Sequence, residues 1–305
     1  MLYSFLNDIS WVVNLRTPYL TPLFEFFTWL GYRDFLFMFI PFVYWCFDRK
    51  IFGRLVIIVF FTAIINSLLK DIFQDPRPDF SLNIDPWLQT EASFGFPSGH
   101  TQIAVVIWLY IALVAKNSIV RTVSILFLLG VPLSRIYLGV HDVGDVLGGM
   151  IFGLITLYLA SIVYKKIEIG KINFTIFTQY AGLMFIFIIL YFLWPSDHET
   201  TIVTGIGGLI IGFLIGKKID YKYFNFKRIP NSYFHYFSCF FALIIFILLN
   251  EILELGFELV SLPIWFESSV SSLILGLYIS FIGLYLLSKI KPVSYTHLRA
   301  HETTD

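Results

Sequence analysis

Long apolar runs, each near the length of a lipid bilayer, constrain this chain more than any other feature. A bilayer core needs about 20 apolar residues per helix, and lipid cannot hydrogen-bond to open backbone groups, so each run is expected to be helical. With 57% hydrophobic and only 14% charged residues, the chain has too little polar surface for a water-soluble domain. The sequence predicts an all-α, polytopic transmembrane helix bundle. Its apolar runs occupy residues 19–31, 35–47, 51–69, 101–115, 119–133, 143–163, 176–194, 201–216, 233–250 and 270–288.

Basic residues are distributed unequally between the two sides of this predicted bundle. If each run crosses once, the loops after every second run carry most of the lysines and arginines, which makes that side cytoplasmic. From the third run onward, the opposite side carries only three cations, Lys70, Arg77 and Arg135. Each taken singly fits an interfacial side chain that reaches the headgroups. Together, on the side where cations are disfavoured, they require a specific explanation.

Three short polar stretches begin or end predicted helices on that same outer side. They are KDIFQDPRP at 70–78, PSGH at 97–100 and SRIYLGVHDVGD at 134–145. Arginine offers planar paired donors to phosphoryl oxygens and lysine a compact charge, while a helix start offers free N–H groups to an anion. These stretches therefore predict a phosphate-binding site. Its candidate residues are Lys70, Arg77, Ser98, Gly99 and Arg135.

Two histidines in the same stretches supply candidate chemistry. Asp145 follows His141 by four residues, so a helix would place both on one face. A carboxylate bound to one ring nitrogen fixes the tautomer and leaves the other nitrogen free to attack phosphorus. His100 would then protonate the leaving alkoxide and later activate water. A lone histidine is more simply an interfacial residue, but two beside phosphate-type donors favour catalysis. The scheme requires neither a metal nor a cofactor.

The order K-x6-RP, PSGH and SR-x5-H-x3-D resembles the three-part signature of the type 2 phosphatidic acid phosphatase (PAP2) superfamily. It is also similar to the signature of vanadium haloperoxidases and bacterial acid phosphatases. Every signature position is matched within residues 50–165. The resemblance implies a six-helix core whose site faces away from the cytoplasm. It also implies the roles given above, with His141 as nucleophile, Asp145 as its partner and His100 as acid and base.

The resemblance divides the chain into three parts. Residues 1–171 are expected to form the phosphatase core with its N-terminal helices. Residues 172–293 are expected to add about four transmembrane helices, an extension similar in helix count to the sphingosine-phosphate phosphatase branch. Residues 294–305 are polar and are interpreted as a non-native or disordered tail. The outer loop 79–96 is a candidate cap for the site.

The function predicted from these patterns is hydrolysis of a lipid phosphate or lipid diphosphate, of the phosphatidate or polyprenyl diphosphate type, through a phosphohistidine intermediate at the extracytoplasmic face of the cell membrane. Phosphatidic acid, undecaprenyl diphosphate, phosphatidylglycerol phosphate and a sphingoid phosphate all fit as substrates. A lipid phosphotransferase that uses the same site, and a non-catalytic membrane protein that binds an anion or lipid, remain alternatives. Membrane lipids are the expected partners and no nucleic acid is expected, while the oligomeric state is left open.

Overall fold

The computed structural model describes residues 6–88, 93–168, 176–195, 201–226, 233–260 and 262–289. Within these ranges the regular structure is entirely helical, which confirms the predicted fold class. The predicted tail at 294–305 lies outside the described residues. The ten longer helices are α1 Leu20–Trp29, α2 Arg33–Cys46, α3 Arg49–Phe73, α4 Gly99–Val114, α5 Ser118–Tyr137, α6 Val143–Glu168, α7 Ile176–Phe192, α8 Thr201–Phe224, α9 Tyr233–Glu258 and α10 Ile264–Lys289.

Six of these helices, α3, α5, α6, α8, α9 and α10, are long and apolar enough to cross a membrane. Helices α1 and α2 form a pair bent by 59° at the short break between them. The ten residues of α1 rise only about 15 Å, half of a bilayer core. Phe24 of α1 stacks on Tyr137 at the end of α5, with ring centroids 4.1 Å apart. The first apolar run therefore lies against the end of α5 that leads into the site.

Helix α4 approaches α6 closely because glycines on α6 leave room for it. A Cβ at Gly149 would lie 2.6 Å from the carbonyl oxygen of Ser98. A Cβ at Gly153 would lie 2.9 Å from Cβ of Val105, one turn further along. Small residues at such spacing let membrane helices pack backbone to backbone. This packing fixes the start of α4 against the start of α6.

The last helices pack on one another and then on α2 and α3. Gly208 and Gly212 of α8 face the backbone of α10 so closely that a Cβ at either position would overlap a carbonyl oxygen of that helix. The fully buried Trp45 of α2 donates from Nε1 to the carbonyl oxygen of Ile279, at 2.7 Å. The C-terminal end of α2 and the N-terminal end of α3 thus contact helices α8, α9 and α10. Lys70 lies at the other end of α3.

Candidate active site

Lys70 lies in the last turn of α3, and its ammonium group is held under the loop that precedes α4. Helix α3 ends at Phe73, and the next residue, Gln74, adopts the left-handed backbone conformation at φ 49°, so the chain turns back over the helix end. Lys70 donates to the carbonyl oxygens of Phe94 and Gly95, the latter at 3.1 Å. The backbone N–H of Gly95 in turn donates to the carbonyl oxygen of Asp75 at 2.7 Å. The lysine is buried, with its charge directed at the loop between α3 and α4.

Arg77 links the two loops that carry the other predicted residues. Its Nε donates to the carbonyl oxygen of Ser93 at 2.7 Å and its Nη2 to the hydroxyl of the same residue at 3.0 Å. Its Nη1 donates to the carbonyl oxygen of Val140 at 3.1 Å, immediately before His141. The second predicted cation therefore lies next to the predicted nucleophile.

The PSGH stretch forms a helix start, as predicted. Ser98 is the residue before α4 and is fully buried, and its backbone N–H donates to the carbonyl oxygen of Asp145 at 3.0 Å. A Cβ at Gly99 would lie 2.8 Å from Oδ1 of Asn66, so a larger residue there would displace the buried asparagine side chain. Asn66 also donates to the carbonyl oxygen of Pro97 at 3.1 Å. The free N–H groups of this helix start are fixed beside Asp145.

His100 is directed inward from the first turn of α4. Its ring meets the ring of Tyr32 edge to face, with centroids 4.5 Å apart. A Cβ at Gly31 would lie 2.5 Å from Cδ2 of His100, so the backbone at the break between α1 and α2 packs directly against this ring. Its Nε2 is buried and has no hydrogen-bond partner among the residues that the structure describes. That nitrogen is the one available to exchange a proton with a ligand.

His141 and Asp145 form a buried pair in the turn between α5 and α6. The histidine Nδ1 lies 2.8 Å from Oδ2 of the aspartate, which leaves Nε2 as the nitrogen able to attack. Asp142 fixes the turn by accepting from the backbone N–H of Asp145 at 2.8 Å. The contact agrees with the spacing of four residues between the two in the sequence.

The predicted cations and His100 act on His141 electrostatically. Burial is the largest cause that lowers the pKa of His141 well below its ordinary value, followed by the charges of Arg77, Arg135 and Lys70, and by His100. A lowered pKa keeps the imidazole neutral at pH 7, the form that carries a free electron pair. The three motifs, separate in sequence, therefore converge on one imidazole.

Arg135 has partners that the sequence did not predict. Its side chain is buried, and Nη1 donates to the hydroxyl of Thr28 and, at 2.7 Å, to Oδ2 of Asp85. The hydroxyl of Tyr32 donates to the same carboxylate oxygen at 2.8 Å. Nε of Arg135 is buried without a partner in the described part of the chain. A single aspartate in a loop has no periodic or motif signal, so only the folded chain reveals this contact.

One group of acidic residues near the pair has the spacing of metal ligands. Asp75, Asp142 and Asp145 each offer an oxygen, and these oxygens lie within 4.8 Å of one another. Burial raises the pKa of Asp142, and the charge of Asp75 adds to that rise. Asp142 and Asp145 already accept hydrogen bonds within the site. We therefore assign the carboxylates of Asp142 and Asp145 to the support of His141.

Comparisons with known proteins identify the family of this chain. The model of the PAP2 superfamily matches residues 51–169. Phosphatidylglycerophosphatase B of Bacillus subtilis is 34% identical over 169 residues, which are 51% of this chain and 81% of that protein. Sphingosine-1-phosphate phosphatase 2 of Mus musculus is 28% identical over 63% of this chain and 58% of its own length. Undecaprenyl-diphosphatase BcrC of Bacillus subtilis is 31% identical over 96 residues, which are 32% of this chain and 49% of that protein.

A solved structure also matches. It is the crystal structure of a transmembrane PAP2 type phosphatidylglycerolphosphate phosphatase from Bacillus subtilis. It shares 32% sequence identity and covers 52% of this chain and 83% of its own, with a TM-score of 0.42. The chain thus spans most of phosphatidylglycerophosphatase B, little more than half the length of the mouse protein and about half of the undecaprenyl-diphosphatase.

Proposed function

Because the chain belongs to the PAP2 superfamily, we propose that it hydrolyses a lipid phosphate or lipid diphosphate through a phosphohistidine intermediate at the extracytoplasmic face. The observation that carries this proposal is the position of His141, fixed by Asp145 and surrounded by the charges of Lys70, Arg77 and Arg135. A site that only binds an anion needs the cations but has no use for a neutral, oriented imidazole.

Phosphate binding is the first step. Lys70, Arg77 and Arg135 neutralise the phosphoryl oxygens, and the helix start at Gly99 adds backbone N–H donors. The backbone N–H of Ser98 donates to the carbonyl oxygen of Asp145, so Ser98 acts by positioning this helix start. Nε of Arg135 and Nε2 of His100, which have no partner within the described ranges, are donors that a phosphate would satisfy. A buried polar group without a partner is costly, so occupancy by an anion stabilises the site.

Phosphoryl transfer follows in two halves. The electron pair of His141 Nε2 forms a bond to phosphorus while the bond from phosphorus to the leaving oxygen breaks, and His100 gives its proton to that oxygen. The leaving oxygen is the lipid oxygen of a monophosphate or the bridging oxygen of a diphosphate. In the second half, His100 takes a proton from water, and the water oxygen bonds to phosphorus as the N–P bond breaks. Inorganic phosphate leaves and both histidines return to their starting states. Throughout, the three cations stabilise the charge on the equatorial oxygens.

The substrate is a lipid whose phosphate reaches the ends of α3, α4 and α6 while its hydrophobic chain stays in the bilayer. The names of the relatives refer to phosphatidylglycerophosphate, sphingosine-1-phosphate and undecaprenyl diphosphate. These lipids differ in their chains and share a terminal phosphate. We therefore assign the site to the phosphate group and leave the choice of lipid to experiment.

The outward orientation is supported by charge at the opposite helix ends. Arg49 and Arg54 lie in the first turns of α3, while Lys165 and Lys166 lie in the last turn of α6. Lys217 and Lys218 lie near the end of α8. The positive-inside rule assigns this side to the cytoplasm, so the site at the other end faces out.

Phosphate release from a panel of the four candidate lipids by purified protein tests the proposal. We expect release from at least one lipid by the wild type and by Lys116→Ala, a substitution of an exposed lysine at the other membrane face. His141→Ala is expected to abolish release, and His100→Ala to reduce it strongly. Undiminished turnover by folded His141→Ala would exclude the proposed nucleophile.

A further inference from the structure

We propose that Asp85, in the outer loop between α3 and α4, is a positioning residue of the active site that orients Arg135 for phosphate. Tyr32, at the break between α1 and α2, acts with it. This inference rests on the proposed function and adds two elements to the site that none of the three motifs contains, the outer loop and the N-terminal helix pair.

The carboxylate of Asp85 is the centre of a buried network. Its Oδ2 accepts from Nη1 of Arg135 at 2.7 Å and from the hydroxyl of Tyr32 at 2.8 Å, with the hydroxyl of Thr28 at 3.4 Å. The side chains of Asp85 and Arg135 are 0% and 2% exposed. Because both side chains are buried, water cannot replace the carboxylate as a partner of the guanidinium group. The orientation of that group therefore depends on Asp85.

The network leaves one part of the guanidinium free for a ligand. Nη1 of Arg135 is occupied by Asp85 and Thr28, whereas Nε has no partner among the described residues. A carboxylate on Nη1 therefore turns the Nε side toward the site. Arginine donors are rigid and planar, so fixing one nitrogen fixes the direction of the others.

Tyr32 extends the same network to the proposed general acid. Its ring packs edge to face on His100 at 4.5 Å between centroids, and the guanidinium carbon of Arg135 lies 5.8 Å from the ring centroid. The tyrosine hydroxyl is bound to Asp85. Asp85 thus positions the phosphate-binding Arg135 by a direct hydrogen bond. It positions the proposed general acid, His100, indirectly, through the ring of Tyr32.

The loop itself is anchored on both sides, so Asp85 is presented in a defined place. The backbone N–H of Ile84 donates to the carbonyl oxygen of Leu138 at 2.9 Å. Arg16 of the N-terminal segment donates to the carbonyl oxygen of Leu82 at 2.5 Å and to that of Tyr137 at 3.3 Å. The backbone N–H of Asp85 donates to the side chain of Asn83 at 2.8 Å.

A double-mutant cycle on the full chain tests the proposal. Asp85→Asn is expected to lower kcat/KM by about 10- to 100-fold, the scale of a misplaced binding group. In an Arg135→Gln background the same change is expected to cost less than about 2-fold, because its effect passes through the arginine. The double variant removes both charges together and so leaves no unpaired buried charge. Asp79→Asn, which removes an exposed charge from the same loop, is the matched control and is expected to change nothing.

Two further measurements separate positioning from folding. Tyr32→Phe keeps the ring on His100 and removes only the hydroxyl, so a loss of about 3- to 10-fold in kcat/KM is expected from one hydrogen bond. The affinity for orthovanadate, measured by thermal-shift titration of detergent-solubilised protein, is expected to fall with Asp85→Asn and to be unaffected by Asp79→Asn. This readout requires no turnover.

Three outcomes distinguish the positioning role of Asp85 from the proposed function itself. Non-additive losses in the cycle, with weaker orthovanadate binding, support the positioning role. If Asp85→Asn lowers kcat/KM equally in the presence and absence of Arg135, or does not lower it, the positioning role is overturned. The proposed function is still supported in that case if the wild type hydrolyses a lipid of the panel. A wild type that neither hydrolyses the lipid panel nor binds orthovanadate overturns the proposed function, and this inference with it.

Discussion

At the residue scale, the proposed catalysis depends on the protonation state of His141. Its attack requires the neutral imidazole, and both burial and the neighbouring cations lower its pKa. The lowered pKa extends the active range toward acidic pH, because the ring stays neutral until the pH falls below that value. Removal of a nearby positive charge must raise the pKa again and shorten that range.

Arg77→Gln tests this dependence. The arginine is the first of the charged neighbours that lower the pKa of His141, so its loss is expected to move the acidic limb of kcat/KM to higher pH while overall activity falls. The measurement is kcat/KM against pH on the preferred lipid. Arg33→Gln, at an exposed position where α2 begins, is the control. We expect it to leave the acidic limb of the kcat/KM profile at the same pH as in the wild type. An acidic limb that stays in place in Arg77→Gln would contradict the electrostatic argument.

Asp145→Asn tests the pairing of the two buried residues. An amide cannot hold the imidazole Nδ1–H as a carboxylate does, so the ring loses its fixed tautomer and the stabilisation of positive charge. We expect kcat to fall by about 100-fold or more, within the range of general acid–base contributions. Retention of full activity in a folded Asp145→Asn protein would show that the 2.8 Å contact has no catalytic role.

At the scale of elements, the site is built from helix ends, and this explains what the sequence could predict. Each motif lies where an apolar run stops, so Lys70, Ser98 and His141 were all assigned to one face. The spacing of His141 and Asp145 follows from helical geometry. The helix start at Ser98 follows from the small residues there, and α4 begins directly after it.

Other features depend on contacts between distant parts of the chain and have no local signal. Asp85 meets Arg135 across 50 positions, and no periodicity marks a loop aspartate. Tyr32 gains its place only because α1 and α2 bend at the break. The first two apolar runs form this bent pair, whereas the sequence alone counts them as two separate runs.

The close packing of α8 on α10 gives a prediction at this scale. Gly212→Ala is expected to lower the free energy of unfolding by about 1–3 kcal/mol, the usual cost of overpacking, because the new Cβ overlaps the carbonyl oxygen of Leu273. The melting temperature of detergent-solubilised protein measures this effect.

Gly256→Ala in α9 is the matched control for that substitution. No atom of the described residues lies within 4 Å of a Cβ at this position, so the change is expected to be neutral or to stabilise by about 0.5–1 kcal/mol through helix propensity. Equal melting temperatures for the two variants would show that the α8–α10 contact is looser than described.

At the scale of the whole molecule, one face carries the site and the opposite face carries most of the basic residues. The N-terminal segment belongs to the site face, because Arg16 binds the outer loop and the end of α5. Trp45 and Arg49 join α2 and α3 to the last helices near the opposite face. These contacts support α2 and α3 at the ends that lie away from the site.

Trp87→Cys tests the orientation of this face. The side chain at 87 is exposed, whereas the native cysteines, Cys46 and Cys239, are buried. We expect the new thiol to react with a membrane-impermeant reagent in intact cells. Lys116→Cys, at the opposite face, should react only after lysis. The reverse pattern would place the site on the cytoplasmic side.

The covalent intermediate is the most direct test of the central claim, that helix ends converge to make His141 a nucleophile toward phosphorus. His100→Ala should trap it with a lipid diphosphate labelled with ³²P at the terminal phosphorus, because that leaving group needs little protonation whereas hydrolysis of the intermediate needs a base. We predict an acid-labile, base-stable label on the peptide that contains His141, absent when His141→Ala is added. Label on another residue, or turnover without any labelled protein, would contradict the claim.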